Sequence, residues 1–216
     1  MNMRLDPIVA EQGPWIWWVV TDYGLRTAWT GEPMKCPVCG GGREAMPTCD
    51  ECRGTGFVNH VPFADRPWDE IVPHLWLGGH DCQPNGAAGC PDGNVFIHEK
   101  DGFDLVVSLH YRFGNSPPMF TEHHTYRLAD SDLDPEHHTH LDEMAEVVEK
   151  SVRNGRKTLV RCQAGLNRSA LIAGLAMLRL GYSADDAIRA MRQKRSPYVL
   201  CNESFVAYLK DKEKEN

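Results

Sequence analysis

Residues 160–170 read VRCQAGLNRSA. Two patterns meet in this stretch. Upstream, KTLVR (157–161) is a short, largely apolar run that reads as a strand. Downstream, SALIAGLAMLRLG (169–181) is a helical pattern closed by Gly181. Cys162 therefore stands where a strand stops and a helix begins. Gly165 lets the backbone between them turn without a Cβ in the way. Such a junction gathers backbone N–H groups at a helix N-terminus, which makes a cradle for an anion. A thiol at the rim feels the same field, and that field favours the thiolate. Arg168, in the first helical turn, can grip two oxygens of a tetrahedral dianion with its planar fork. Ser169 can donate its hydroxyl proton to the sulfur. The bland account of Cys162 is a buried core thiol, but it leaves Gly165 and Arg168 unexplained.

Around this junction strands and helices alternate. IVPHLWLGG (71–79) reads as one strand ending in a glycine turn, and 80–102 as a loop-like insertion. FDLVVSLH (103–110) is a buried strand candidate, and HTYRLAD (124–130) is a shorter strand running into an acidic loop. Asp134-Pro135 starts a helix, with Asp as N-cap and Pro at the first helical position. Leu141, Met144, Ala145, Val148 and Val152 give that helix one apolar face. Ser183 caps the next helix and Asn202 the last. The pattern predicts an α/β domain over 61–214, with a mostly parallel central sheet flanked by helices on both faces.

Residues 1–60 differ in kind. PWIWWVV and LRTAWTG flank TDYG and suggest a β-hairpin, in which Trp15, Trp17 and Trp18 are read as packing residues. CPVCGG and CDECRGTG follow, giving C-x2-C-x9-C-x2-C from Cys36, Cys39, Cys49 and Cys52. Two such turns can set four thiolates tetrahedrally around one Zn²⁺. Redox CxxC chemistry is the competing reading. A segment this small buries little core, so a structural zinc is the default role, and recruitment of a protein partner is a further one.

The loop sequence VRCQAGLNRSA resembles the signature loop of the cysteine-based protein tyrosine phosphatases, in their dual-specificity branch. VPHLWLGG (72–79) is similar to that branch's opening strand and turn. RSPYVLCNESFVAYL (195–209) resembles its closing segment. The resemblance implies that Cys162 attacks phosphorus and forms a phosphocysteine. It implies that the loop residues Gln163, Ala164, Gly165, Leu166, Asn167 and Arg168 bind the phosphate, and that an upstream Asp serves as acid and then base. In LADSDLD, Asp130 lies 32 residues before Cys162, as this branch expects, with Asp132 the runner-up and Asp134 better read as a cap. Asn202 resembles a residue that braces the loop, and an N-cap role is compatible with that. The residue before the cysteine is usually His in this family and is Arg161 here. CDECRGTG is similar to the repeat of the DnaJ-type chaperone zinc region. With only two half-sites, that similarity implies a zinc fold and no chaperone activity.

The bulk numbers set limits. The chain has 216 residues, 42% hydrophobic and 25% charged, with net charge −7. Such a charge disfavours a general nucleic-acid surface and an acidic membrane. WIWWVV is too short to span a bilayer and lacks the features of a signal peptide, which leads us to expect a cytoplasmic protein. Eight cysteines are then metal ligands, catalytic groups or buried thiols. His80, Cys82, Cys90 and His98 form a weaker metal candidate with irregular spacing, and a loop with incidental thiols is the plainer account. His123, His124, His137, His138 and His140 crowd the acid loop and read as surface residues at a helix start. Two functions follow: a phosphomonoester hydrolase acting on a phosphorylated protein or a small phosphomonoester, or a phosphate-recognising binding module recruited through its zinc unit. A rhodanese-like sulfur carrier fits the Asp and the Arg-Ser pair poorly. The absence of Lys from QAGLN argues against highly phosphorylated inositol substrates.

Overall fold

The computed structural model describes residues 66–80, 95–110 and 115–215, together with the backbone of four short strands between 16 and 58. The chain divides into two compact units, Met1–Val61 and Pro62–Asn216. In the first, β1 (Ile16–Thr21) pairs antiparallel with β2 (Gly24–Thr30), and β3 (Met34–Lys35) pairs with β4 (Phe57–Val58). The register of the first pair shifts between Trp17 and Trp18. Cys36, Cys39, Cys49 and Cys52 lie outside the described residues.

In the second unit one five-stranded sheet organises the rest. Its strands are β5 (Trp68–Val72), β6 (Leu75–Gly79), β7 (Leu105–Ser108), β8 (Glu122–Thr125) and β9 (Thr158–Cys162). The order is β5-β6-β9-β7-β8. Three neighbouring pairs are parallel, and β5–β6 is antiparallel, so the sheet is mixed. The expected single strand over 71–79 is in fact the end of one strand and the whole of the next. Pro73 and His74 make the turn between them, with His74 at φ +70. Proline followed by a residue at positive φ is the geometry of a type II turn, which reverses the chain within two residues.

Four helices follow: α1 (His138–Arg153), α2 (Arg168–Arg179), α3 (Ala184–Lys194) and α4 (Glu203–Glu215). The expected caps are present. Asp134 accepts from Glu136 N at 3.0 Å and opens a short 3₁₀ turn that leads into α1. Ser183 Oγ accepts from Asp186 N at 3.1 Å, and Gly181 closes α2 at φ +96. Helix α1 buries Leu141, Ala145, Val148 and Val152 on the predicted face, while Met144 stays half-buried. Helix α2 is buried along nearly its whole length, as a central helix between α1, α3, α4 and the sheet must be.

Helices were expected on both faces of the sheet. Among the described residues they lie on one. The other face is covered by Ile97 and Phe103 from the segment before β7, packed on Val106 and Leu159 with Trp68 and Trp76 at the margin. The Phe103 ring meets both indoles edge-on, at 5.3 and 6.0 Å. Lys157 Nζ lies 4.7 Å from the centres of the Trp76 and Phe103 rings, so its stem closes this apolar cluster and its charge remains favourable there. Ile97 and Phe103, outside any strand, thus do the covering that a helix does elsewhere. Among the described residues no helix is long and apolar enough to cross a membrane.

Candidate active site

Cys162 is the last residue of β9 and lies beside Gly79 of β6 in the parallel register. The loop that follows folds back tightly over the end of β6. A Cβ on Gly79 would sit 2.6 Å from the Gln163 carbonyl oxygen, closer than real contacts allow. Gly165 has φ +72, and a Cβ there would run into the Gly78 carbonyl. Only glycine fits both the conformation and the space.

Three consecutive carbonyls of the loop are tied down behind it. Arg195 donates to Ala164 O (Nη2, 3.0 Å) and Gly165 O (Nε, 2.7 Å), and Leu200 N donates to Leu166 O at 2.9 Å. In a trans peptide the C=O and the following N–H point opposite ways. The N–H groups of Gly165, Leu166 and Asn167 are therefore turned to the other side. That of Gly165 is found 3.3 Å from Cys162 Sγ. Ser169 Oγ donates to the same sulfur at 3.2 Å. Cys162 is 1% exposed and meets two donors, a setting that suits a sulfur carrying negative charge.

Arg168 opens α2. Its Nη1 lies 3.4 Å from both His110 Nδ1 and the Leu128 carbonyl. Its Nε is buried without a hydrogen bond, 3.9 Å from Asp130 Oδ2. The Nε–Nη2 edge is thereby left for an acceptor, and that edge is the one that grips an oxyanion with two parallel bonds.

Asp130 is held on both oxygens. Asn167 Nδ2 donates to Oδ2 and Asn202 Nδ2 to Oδ1, each at 3.2 Å. Asn202 also caps α4, accepting from Ser204 N at 3.1 Å and Phe205 N at 3.4 Å, while its own N–H donates to Asn167 Oδ1 at 3.2 Å. It is a cap and a brace at once. Asp132 is exposed, and Asp134 caps the turn before α1. Of the three acidic candidates, the structure brings only Asp130 to Arg168.

Arg195 and Asp69 were not singled out from the sequence, and they form the back wall of the loop. Arg195 Nη1 meets Asp69 Oδ2 at 3.0 Å, with the two side chains 0% and 3% exposed. Burial pushes the Asp69 carboxyl up, while Arg195 and Arg66 pull it down. Burial pushes the Arg195 guanidinium down, and Asp69 and the charge at Cys162 oppose that. The cation behind Cys162 is thus Arg195. A signal existed: Asp69 shares the alternation phase of buried Ile71, and an inward carboxylate requires a partner. Arg195→Ala leaves that buried carboxylate with the largely exposed Arg66 as its remaining counter-charge and unties two loop carbonyls. We expect a loss of about 3–5 kcal/mol in a urea unfolding experiment; a loss below about 1 kcal/mol would show that the wall is not held by this pair.

Arg161 is almost fully buried on the opposite face of the sheet. Its Nε donates to Ser108 Oγ at 2.9 Å, and Nη1 and Nη2 donate to Asn115 Oδ1 and O at 3.1 and 2.7 Å. Burial pushes it down to about 10, so it stays a cation at neutral pH. The five crowded histidines have separate partners. His123 bonds Ser108 Oγ, and covering of its ring together with the charge of Arg161 pushes it down to about 4. His124 pairs with Glu122, His137 with Tyr126 Oη, and His140 with Glu143, while His138 stacks near Tyr208. His80 is buried against His110 O, and His98 begins an exposed 3₁₀ turn; Cys82 and Cys90 lie outside the described residues. Cys201 exchanges hydrogen bonds with Asn167, and burial pushes its thiol up.

Comparison with known proteins agrees with this geometry. The profile of the dual specificity phosphatase catalytic domain matches residues 93–215. Protein 123R of Invertebrate iridescent virus 6, named as a tyrosine phosphatase, is 31% identical over 65% of this chain and 87% of its own. Human dual specificity protein phosphatase 16 is 29% identical over 82% of this chain, which spans only 24% of that longer protein. Among solved structures, human DUSP28 shares the fold with a TM-score of 0.57, at 22% identity over 72% of this chain and 98% of that one. With a cysteine at the strand end, an arginine opening the helix and a catalytic-domain profile spanning both, the chain belongs to the dual specificity phosphatase family of cysteine-based phosphatases.

Proposed function

We propose that Cys162, Arg168, Asp130 and Ser169 carry a two-step hydrolysis of phosphomonoesters. The observation that supports this most is the sulfur of Cys162 meeting Gly165 N–H and Ser169 Oγ at the start of the helix that carries Arg168. In the first step the thiolate forms an S–P bond as the P–O bond to the leaving alcohol breaks. The protonated Asp130 gives its proton to the departing oxygen. In the second step the Asp130 carboxylate takes a proton from water, the water oxygen bonds phosphorus, and the S–P bond breaks to return the thiolate and release inorganic phosphate. The loop amides from Gln163 to Arg168 and the Arg168 fork hold the non-bridging oxygens, where charge is spread in the transition state. The Ser169 hydroxyl steadies the departing sulfur.

Replacing Asp130 tests the acid–base assignment. Asp130→Asn is expected to lower kcat by about 10²–10⁴-fold on an alkyl phosphate, whose leaving group needs the proton, and by less on p-nitrophenyl phosphate. Asp132→Asn is the control. If Asp132→Asn gave the larger loss, the assignment would pass to Asp132.

The substrates are phosphorylated molecules; a phosphorylated protein or a small phosphomonoester both suit the loop as read. We further propose that Cys36, Cys39, Cys49 and Cys52 hold one structural Zn²⁺, supported by their C-x2-C-x9-C-x2-C spacing, and that this module can offer a surface to a protein partner. Metal analysis of the purified full chain is expected to give about one zinc per chain, lost in Cys36→Ser/Cys49→Ser; metal-free protein with unchanged folding of that module contradicts it. A nucleophilic thiolate and four metal-binding thiolates all require reduction, which supports a cytoplasmic location.

A further inference from the structure

A cleft of about 250 Å³ opens at the C-terminal ends of β7, β8 and β9, on the sheet face away from α2. Arg161 forms its floor, and His80, His110, His123 and Arg127 line it. None of the described residues that line it is Asp or Glu. That bias runs against a chain whose net charge is −7.

Arg161 makes the cleft more than a gap. Among the described residues its hydrogen bonds go to neutral acceptors, Ser108 Oγ and the side-chain and backbone oxygens of Asn115. A guanidinium has five N–H donors, and among the described residues two of these meet no acceptor. Among the described residues no carboxylate lies within ion-pair reach of it. A buried cation without a counter-charge is costly, and an oxyanion that completes its donors offsets that cost. Contrast Arg195, equally buried and matched to Asp69. The cleft also shares a wall with the catalytic loop. His110 lines it and lies 3.4 Å from Arg168 Nη1, and Arg127 precedes Leu128, whose carbonyl faces the same nitrogen.

We propose that this cleft is a second oxyanion subsite, which takes a tetrahedral phosphate-class dianion on Arg161 with Arg127 and His123 at the rim. The inference rests on reading Cys162 and Arg168 as the first phosphate site. The occupant comes from one of two sources, a second phosphate on the substrate or free inorganic phosphate, and both present the same chemistry.

The test uses the full chain carrying Arg168→Ala, in which the catalytic clamp is gone. Inorganic sulfate is titrated in while the imidazole nitrogen resonances of His80, His110 and His123 are followed by NMR. A saturable shift is expected, weakened about tenfold or more by adding Arg127→Ala and lost with Arg161→Gln. The rim variant keeps the test decisive should Arg161→Gln fail to fold. No saturable shift, or a shift that Arg127→Ala leaves unchanged, overturns the proposal. Turnover of p-nitrophenyl phosphate by the wild-type chain is measured separately, so failure of the catalytic reading is seen on its own. A second arm compares binding of a hexose bisphosphate and its monophosphate to the Cys162→Ser chain. Tighter binding of the bisphosphate by about tenfold, abolished by Arg127→Ala, supports the proposal and identifies a substrate phosphate. Equal binding of the two esters alongside a saturable sulfate site supports it and identifies the free ion.

Discussion

Cys162→Ser is expected to lower kcat on p-nitrophenyl phosphate by at least about 10⁴-fold, with the fold and phosphate binding retained. The reason lies in what surrounds the sulfur. The sulfur meets two donors, Gly165 N–H and Ser169 Oγ, which suit the charge it carries as an attacking or departing group. A serine hydroxyl at this position has to lose its proton to a base. Among the described residues, the groups that meet the sulfur at position 162 are the donors Gly165 N–H and Ser169 Oγ. Donors of this kind favour a sulfur nucleophile and give a serine oxygen no help in losing its proton. Turnover of the wild-type chain is expected to continue with EDTA present, since each proposed step uses side chains of the phosphatase unit. Residual activity above about 1% in Cys162→Ser, free of contaminating enzyme, would place the nucleophile elsewhere.

Arg168→Ala is expected to lower kcat/KM by about 10³–10⁵-fold, the range in which a single arginine stabilises phosphoryl-transfer charge. Its Nη1 is already engaged by His110 and Leu128 O, which fixes the plane of the guanidinium. The free Nε–Nη2 edge is then presented in one orientation, and the ordering cost is met before substrate arrives. Arg168→Lys should recover little, because an ammonium offers a point charge where the site presents a fork. A split between the parameters is informative: loss concentrated in kcat places the contact in the transition state, and loss confined to KM places it in ground-state binding. A fall of less than about tenfold in kcat/KM would contradict the assignment.

The candidate loop was legible because its residues are neighbours in sequence. Cys162, Gly165, Arg168 and Ser169 lie within eight residues, and the change from strand to helix pattern marks the place. Helix starts were legible for the same reason: Asp134, Ser183 and Asn202 each act on an N–H two or three residues away. The wall behind the loop was not. Arg195 and Asp69 are 126 residues apart, and an ion pair has no periodicity. The β5–β6 reversal was hidden because apolar residues run on both sides of Pro73-His74, so the turn interrupts the pattern for only two positions. The one-sided placement of helices was hidden too, since Ile97 and Phe103 cover the sheet from a segment without a helical period. Arg161 was visible as an oddity. Only the structure shows that its side chain leaves the catalytic loop for the other face of the sheet, where it bonds Ser108 and Asn115. The zinc motif remains a statement about spacing, because its cysteines fall outside the described residues.

The covalent step is the centre of the account, and trapping it is the most direct test. The full chain is mixed with a fast-leaving aryl phosphate, quenched in denaturant during turnover, and the peptide containing residue 162 is examined by tandem mass spectrometry. The account predicts one phosphoryl group on the sulfur of Cys162, absent from Cys162→Ser and more abundant in Asp130→Asn, where hydrolysis of the intermediate is slowed. An active enzyme whose Cys162 peptide never carries phosphate under these conditions would contradict it.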